Sequence, residues 1–206
     1  MRKLLSLCAA AAVWATASTL FAADDGFVPL FNGQDVTGWK LRNPKGHNSW
    51  TVAPGGVLKN TVAKGEHGTD LLTEKRFEDF TVRYEFLVPD GSNSGFYLRG
   101  RHEIQILGDY KKDGQPSKSG NGAIYNFKAP DQFVSKPGGE WQTAEVTIIG
   151  QKITVTLNGV KIHDRVECPK PTGGEVDGKV SEPGPILLQG DHGTVSFRNI
   201  AIKELK

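Results

Sequence analysis

The stretch that decides the fold reads NSGFYLRGRHEIQIL at residues 93–107. Polar and apolar residues alternate on either side of a turn signal at Gly100 and Arg101. Because successive side chains of a strand point to opposite faces, this pattern predicts two short paired strands. The residues expected to face a core are Phe96, Leu98, Ile104 and Ile106. The residues expected on the outer face are Tyr97, Arg99, Glu103 and Gln105.

A phenol, a guanidinium, a carboxylate and an amide side by side are typical of a polar binding surface. The alternative is an ordinary solvated face with a cross-strand Arg–Glu pair, worth from a few tenths to about 1 kcal/mol. Spacing alone leaves both interpretations open.

The rest of the chain has the same short alternating runs and no sustained helical period. Its 25 glycines in 206 residues exceed the roughly 7% of an average protein. The clearest strand covers residues 80–88, and hairpins are predicted at 50–59 and 141–158. Further strands are predicted at 123–127, 186–189 and 194–203. The pattern predicts an all-β sandwich or barrel, with long irregular stretches at 108–122 and 169–185.

The N-terminus has the pattern of a secretory signal peptide. Arg2 and Lys3 precede an apolar, alanine-rich run, and small residues at Ala22 and Ala23 offer a cleavage site. A retained membrane anchor is disfavoured because Thr16 and other hydroxyl residues interrupt the run. The predicted organisation is a signal peptide at 1–23 and a single β-sandwich domain at 24–206, periplasmic or secreted.

Charge and cysteine content exclude several function classes. Without Arg2 and Lys3, 23 Lys and Arg balance 23 Asp and Glu, and no basic stripe points to a nucleic-acid partner. The mature chain has no apolar run of the roughly 18 residues that a membrane span needs. Cys168 is then the only cysteine, so no intramolecular disulfide is expected, and it is predicted to be a buried apolar residue. The sequence does not define the oligomeric state.

No motif for a nucleophilic serine or cysteine, a P-loop or a dinucleotide site occurs. His192 stands out among the histidines because it lies in the glycine-rich turn QGDHG at residues 189–193. It is either a functional histidine or a turn residue that caps backbone groups. Adjacent side chains diverge, so Asp191 is not expected to orient its imidazole.

Carboxylates are the remaining candidates for acid–base chemistry, and Glu103 is the foremost. The Glu-x-Gln pattern at Glu103 and Gln105 replaces the second carboxylate of sandwich glycosidases by an amide. A retaining mechanism with two carboxylates is therefore not supported.

Several motifs in order resemble one bacterial exported family. They are FNGQD at 31–35 with Gly38 and Trp39, NSGFYLR at 93–99, EIQIL at 103–107, GAIY at 122–125, Trp141, LNG at 157–159, LQGDHG at 188–193 and FRNI at 197–200. The chain resembles the 3-keto-disaccharide hydrolase domain over essentially all of its mature length.

The resemblance implies a concanavalin-like jelly-roll sandwich of two curved antiparallel sheets, with a carbohydrate substrate on the concave face. It implies cleavage of glycosides already oxidised at carbon 3, by abstraction of the carbon-2 proton, elimination and hydration. The alternative is a non-catalytic carbohydrate-binding module of the cell envelope.

The resemblance also suggests residue roles. Glu103 or His192 would be the base, and Arg99 with Gln105 would hold the ketone or enolate oxygen. The substrate-binding set would be Gln105, Tyr97, Tyr125, Asn93 and Gln189. The sequence assigns no cofactor, and a divalent metal held by Glu103, His192 and a further carboxylate stays an open alternative without a supporting ligand spacing.

Overall fold

The computed structural model describes residues 25–63 and 65–206, and the predicted signal peptide lies outside these residues. The described part contains strands and no helix. Its strands in chain order are β1 (Val28–Pro29), β2 (Trp39–Leu41), β3 (Trp50–Ala53), β4 (Val57–Asn60), β5 (Leu71–Thr73), β6 (Phe80–Leu87), β7 (Asn93–Leu98), β8 (His102–Leu107), β9 (Gln142–Ile149), β10 (Lys152–Leu157), β11 (Val160–Glu167), β12 (Leu187–Leu188) and β13 (Val195–Glu204).

The strands form two antiparallel sheets, which confirms the predicted fold class. The larger sheet has the order β11-β10-β9-β6-β13-β4-β3, and β1 pairs with β13. The smaller sheet has the order β2-β5-β12-β7-β8. Several neighbours, such as β5 and β12 or β6 and β13, come from distant parts of the chain, so residues far apart in sequence meet on one face.

The core lies between the two sheets. Tyr84 of the larger sheet stacks on Phe96 of the smaller one, with ring centroids 4.0 Å apart and planes 2° apart. The inward set predicted for the central hairpin is confirmed, since Phe96, Leu98, Ile104 and Ile106 are all at most 2% exposed. Cys168 is buried as predicted.

The predicted strand at residues 123–127 is wrong, because the chain turns back on itself there. Asn126 has a left-handed φ of 54°, and Ile124 forms isolated bridges to Ile104 and Lys128. The segment nevertheless borders the edge of β8: Tyr125 N donates to Glu103 O at 3.0 Å. It therefore brings Tyr125 beside the strand that carries Glu103.

Candidate active site

The candidate site lies on the outer face of the smaller sheet, and it is centred on Glu103. Glu103 is paired with Tyr97, and Gln105 is paired with Gly95. Strand alternation puts these residues opposite the core-facing isoleucines of β8. A Cβ at position 95 would lie 2.9 Å from Glu103 Cδ and closer still to Oε1, so glycine is the residue that leaves the Glu103 carboxyl in this position.

Register extends this face across the smaller sheet. Gln189 follows β12 and its N donates to Gly95 O at 2.9 Å. The pairing of Leu188 with Leu71 puts Asp70 opposite Gln189. We define the polar face as the outward residues Asp70, Asn93, Tyr97, Glu103, Gln105 and Gln189.

The Glu103 carboxyl is buried among polar groups. Glu103 is only 3% exposed, and Tyr97 OH donates a hydrogen bond to its Oε2 at 2.9 Å. Gln189 Nε2 donates to the same phenol oxygen at 3.3 Å. Burial raises the pKa of Tyr97 well above its usual value, so the phenol stays a protonated donor.

Burial also raises the pKa of Glu103 from 4.5 to about 7. The Tyr97 hydrogen bond and the charge of His192 lower this pKa, while the charges of Asp191 and Asp70 raise it. A carboxyl with a pKa near neutrality can accept and return a proton at the working pH of most enzymes. Glu103 is therefore suited to general acid–base chemistry.

The charge of His192 lowers the pKa of the Glu103 carboxyl, although 89 positions separate the two residues in the sequence. The expectation that Asp191 cannot orient His192 is wrong. Asp191 Oδ1 contacts His192 Nδ1 within this exposed bend. The histidine turn, residues 189–193, thus presents an imidazole with a carboxylate partner.

The histidine turn is anchored from two sides. Asp70 Oδ1 accepts a hydrogen bond from Gly190 N at 3.0 Å. Asn60 Nδ2 donates to Gly190 O at 3.0 Å and to Gly193 O at 2.7 Å. These bonds fix the backbone that carries His192.

Arg99 does not join the polar face, and the predicted convergence with Glu103 and Gln105 is wrong in this respect. Strand β7 ends at Leu98, and a left-handed φ of 53° takes Arg99 out of the strand alternation. Its buried guanidinium group, including Nε, donates to Glu78 O at 2.6 Å, Gly150 O at 2.8 Å, Val180 O at 3.2 Å and Asp79 Oδ1 at 2.8 Å. These bonds hold loops together.

Three amide oxygens of the polar face are buried without a hydrogen-bond partner in the described part of the chain. They belong to Asn93, Gln105 and Gln189. An unpaired buried acceptor costs about 1–3 kcal/mol, a cost that sugar hydroxyl donors would remove. All three residues were predicted to bind substrate, and the structure brings them to one sheet face.

The segment at residues 172–176, the roof segment, approaches this face from outside the sheet. A Cβ at Gly174 would lie 2.7 Å from Tyr97 OH, so only glycine permits this approach. Glu103 N donates to Thr172 Oγ1 at 2.8 Å. Tyr125 and Thr172 both line a small cleft of about 160 Å³, which lies beside Glu103. A larger cleft of about 420 Å³, lined by Phe27 and Asn199 among others, lies on the other sheet.

Sequence reasoning missed Asp70 and the roof segment. Asp70 has no sequence signal, because its place on the polar face follows from the pairing of β5 with β12. Among residues 25–63 and 65–206, no three His, Cys, Asp or Glu side chains are grouped so that they could hold a metal ion. Glu103, His192 and a further carboxylate thus do not form such a group in this part of the chain.

The fold and this face define a class of protein: a concanavalin-like β-sandwich with acid–base and amide side chains on one sheet. Residues 26–203 match the family model of the 3-keto-alpha-glucoside-1,2-lyase-like domain, so the chain belongs to this family. The resemblance inferred from the sequence motifs is thereby confirmed.

Individual relatives agree with this assignment. Over 153 residues the chain is 26% identical to the 3-keto-disaccharide hydrolase of Bacteroides thetaiotaomicron, which covers 60% of this chain and 53% of that protein. The chain thus spans about half the length of this relative.

Two solved structures extend the comparison. A Parabacteroides distasonis protein, provisionally described as a glycosyl hydrolase, is 26% identical with a TM-score of 0.70, covering 88% of this chain and 95% of that one. The β-glucanase of Bacillus licheniformis is 12% identical with a TM-score of 0.51, covering 87% and 97%. The second likeness concerns the fold alone. In the described residues, no helix is long and apolar enough to cross a membrane.

Proposed function

We propose that this chain is an exported enzyme that cleaves 3-keto-glycosides, with Glu103 as the base. The observation that carries the proposal is the buried Glu103 carboxyl, which is hydrogen-bonded to Tyr97 and has a pKa raised to about 7. Family membership and the 3-keto-disaccharide hydrolase relative support the substrate class.

The first step uses the acidity that the carbon-3 ketone confers on carbon 2. The ionised Glu103 carboxylate takes the carbon-2 proton, the C–H bond breaks, and its electrons move to the carbon-3 oxygen as an enolate. The amide groups of Gln105 and Gln189 are the candidates to hydrogen-bond this oxygen. Each Nε2 carries two N–H groups, and one of them is already used, by Gln105 on Ser119 O and by Gln189 on Tyr97 OH, which leaves the second as the donor.

The second step expels the leaving group. The enolate re-forms the ketone, a double bond forms between carbons 1 and 2, and the bond from carbon 1 to the glycosidic oxygen breaks. The leaving oxygen takes a proton from His192, which Asp191 orients. Water then adds its hydroxyl to carbon 1 and gives its proton to His192, and Glu103 returns a proton to carbon 2, so the net reaction is hydrolysis and needs no oxidant.

Glu103 is a better base than His192 because it is held by the sheet. Its backbone is bonded on the outer edge of β8 by Tyr125 and Thr172. His192 is exposed at a bend, which suits a group that meets the leaving portion of the substrate.

The test is turnover of 3-keto-trehalose and 3-keto-lactose by the wild-type chain, Glu103→Gln and His192→Ala. We expect Glu103→Gln to lower kcat by about 10²- to 10⁴-fold, the usual contribution of general acid–base catalysis. Glu167→Gln is the matched control, because Glu167 is an exposed strand glutamate.

Solvent deuterium separates this mechanism from direct displacement. In D₂O the released 3-keto sugar should carry deuterium at carbon 2, beyond what the free sugar acquires without enzyme. Because a buried base can return the same proton, the contradicting result is turnover with neither this label nor a primary isotope effect on a substrate deuterated at carbon 2. Full activity of Glu103→Gln would remove Glu103 from the mechanism, and binding of sugar without any turnover would favour the carbohydrate-binding alternative.

A further inference from the structure

The two parts of the candidate site that are not in the sheet, the roof segment and the histidine turn, are joined through a single carboxylate. Asp70 is 8% exposed and its two oxygens have different partners. Oδ1 accepts from Gly190 N at 3.0 Å, at the start of the histidine turn. Oδ2 accepts from Arg42 Nη1 at 3.1 Å.

Arg42 continues the connection to the roof segment. Its Nη1 also donates to Gly174 O at 2.7 Å, and its Nη2 donates to Glu175 O at 2.8 Å. The planar guanidinium can hold these acceptors at once, which the ammonium of a lysine cannot do in the same geometry. Gly174 is the residue that approaches Tyr97, the hydrogen-bond donor to Glu103.

We propose that Arg42 and Asp70 are positioning residues that couple the roof segment to the histidine turn, so that neither side of the substrate is held without the other. The inference deepens the proposed function and rests on it for its kinetic part. Neither residue needs to touch the substrate. Asp70 acts on His192 through Gly190, and Arg42 acts on Tyr97 through Gly174.

Charge adds a second effect to this geometry. Asp70 and Asp191 both raise the pKa of Glu103. Removing the negative charge at position 70 should therefore make Glu103 a weaker base that ionises at lower pH. A residue with only a structural role would not shift the acid limb of the pH profile.

The chain offers a matched control for the Arg42 connection. Arg76 holds the same irregular stretch farther along, with Nε and Nη2 both donating to Pro183 O at 3.0 and 2.6 Å. In the described part of the chain, the hydrogen bonds of the Arg76 guanidinium go to Pro183 O, and none goes to Asp70 or to the histidine turn. Arg76→Ala thus removes a comparable arginine–carbonyl link at a different place.

The experiment combines hydrogen–deuterium exchange with steady-state kinetics for Arg42→Ala, Arg42→Lys, Asp70→Asn and Arg76→Ala. We expect Arg42→Ala to speed exchange in residues 172–176 and also in residues 189–193, which Arg42 does not contact. Arg42→Lys should give the same pattern to a smaller extent if Arg42→Ala proves unstable. Arg76→Ala should speed exchange only around residue 183.

Kinetics on a 3-keto-disaccharide provide the second readout. We expect kcat to fall by up to about 100-fold in Arg42→Ala and Asp70→Asn, the effect of a misplacement of about 1 Å. Asp70→Asn should also move the acid limb of kcat/KM to lower pH, and Arg76→Ala should leave both unchanged.

Two results would overturn the inference. One is an Arg42→Ala variant whose exchange changes in residues 172–176 alone, and the other is an Asp70→Asn variant with an unmoved acid limb. If the wild-type chain turns over no 3-keto-glycoside, the proposed function fails, while the exchange experiment still decides whether the two segments are coupled.

Discussion

Gly95→Ala tests whether the position of the Glu103 carboxylate decides activity. Gly95 has no left-handed φ, so an alanine can adopt its backbone conformation. The new Cβ would lie 2.9 Å from Glu103 Cδ, whereas an ordinary contact begins at 3.4 Å. The carboxyl group must therefore move by at least 0.5 Å, the difference between these two distances.

The displacement should cost activity more than stability. A shift of about 0.5–1 Å at a reacting group lowers kcat by about 10- to 100-fold, or about 1.4–2.7 kcal/mol in activation free energy. Overpacking costs about 1–3 kcal/mol, and we expect the lower end because the group that moves is the flexible end of a side chain.

The assay compares kcat on a 3-keto-disaccharide with urea unfolding for Gly95→Ala and a control, Gly178→Ala. Gly178 also lacks a left-handed φ, and a Cβ there would meet nothing within 4 Å. The control should match the wild type in both measurements. A Gly95→Ala variant with wild-type kcat would refute the assignment of Glu103 as a precisely held base.

Three further predictions concern ionisation and the hairpin turn. If ionised Glu103 is the base, kcat/KM should rise with pH through an apparent pKa near 7. The Tyr97 hydrogen bond lowers the pKa of Glu103, so Tyr97→Phe should raise this pKa and move the acid limb to higher pH. A limb that moves to lower pH contradicts this. Burial lowers the pKa of His102 and His163 from 6.5 to about 4. The unfolded chain binds these protons below pH 6.5 and the folded chain only near pH 4. The free energy of unfolding therefore decreases as the pH is lowered from 6.5 to 4, by up to about 3 kcal/mol per histidine. The contribution of Glu103 to stability changes in the opposite direction over this pH range. Urea unfolding of both wild type and His163→Gln at pH 7 and 4.5 therefore isolates the contribution of His163. Equal pH dependences of the two proteins would count against the lowered pKa of His163. Arg99→Ala should lower the free energy of unfolding by about 3 kcal/mol, because the acceptors of its buried guanidinium lose their donor. It should leave the acid limb of kcat/KM unmoved. Lost turnover at unchanged stability would restore a catalytic role for Arg99.

The fold could be predicted because strand periodicity is a local property. Alternation around Phe96 and Ile104 identified the core side of the central hairpin, and the positions of Glu103 and Gln105 followed from it. The same reasoning failed at Arg99, because this left-handed residue already belongs to the turn, which the signal at Gly100 and Arg101 placed one residue too late.

The site could be predicted only in part because it depends on which strands become neighbours. Asp70 comes beside Gln189 through the pairing of β5 with β12, and the chain between them contains six other strands. The Asp191–His192 contact depends on the conformation of one bend. Arg42 reaches the roof segment across 132 positions, a separation at which no sequence pattern operates.

The irregular stretch at residues 169–185 is held largely through its backbone. Carbonyl oxygens of this stretch accept hydrogen bonds from Arg42, Arg76, Arg99 and Arg101, at Gly174, Glu175, Val180, Glu182 and Pro183. Every amino acid supplies the same oxygen, whatever its side chain. Except at Gly174, where a Cβ would meet Tyr97 OH, substitutions in this stretch can therefore change the side chains around the candidate site while these hydrogen bonds persist.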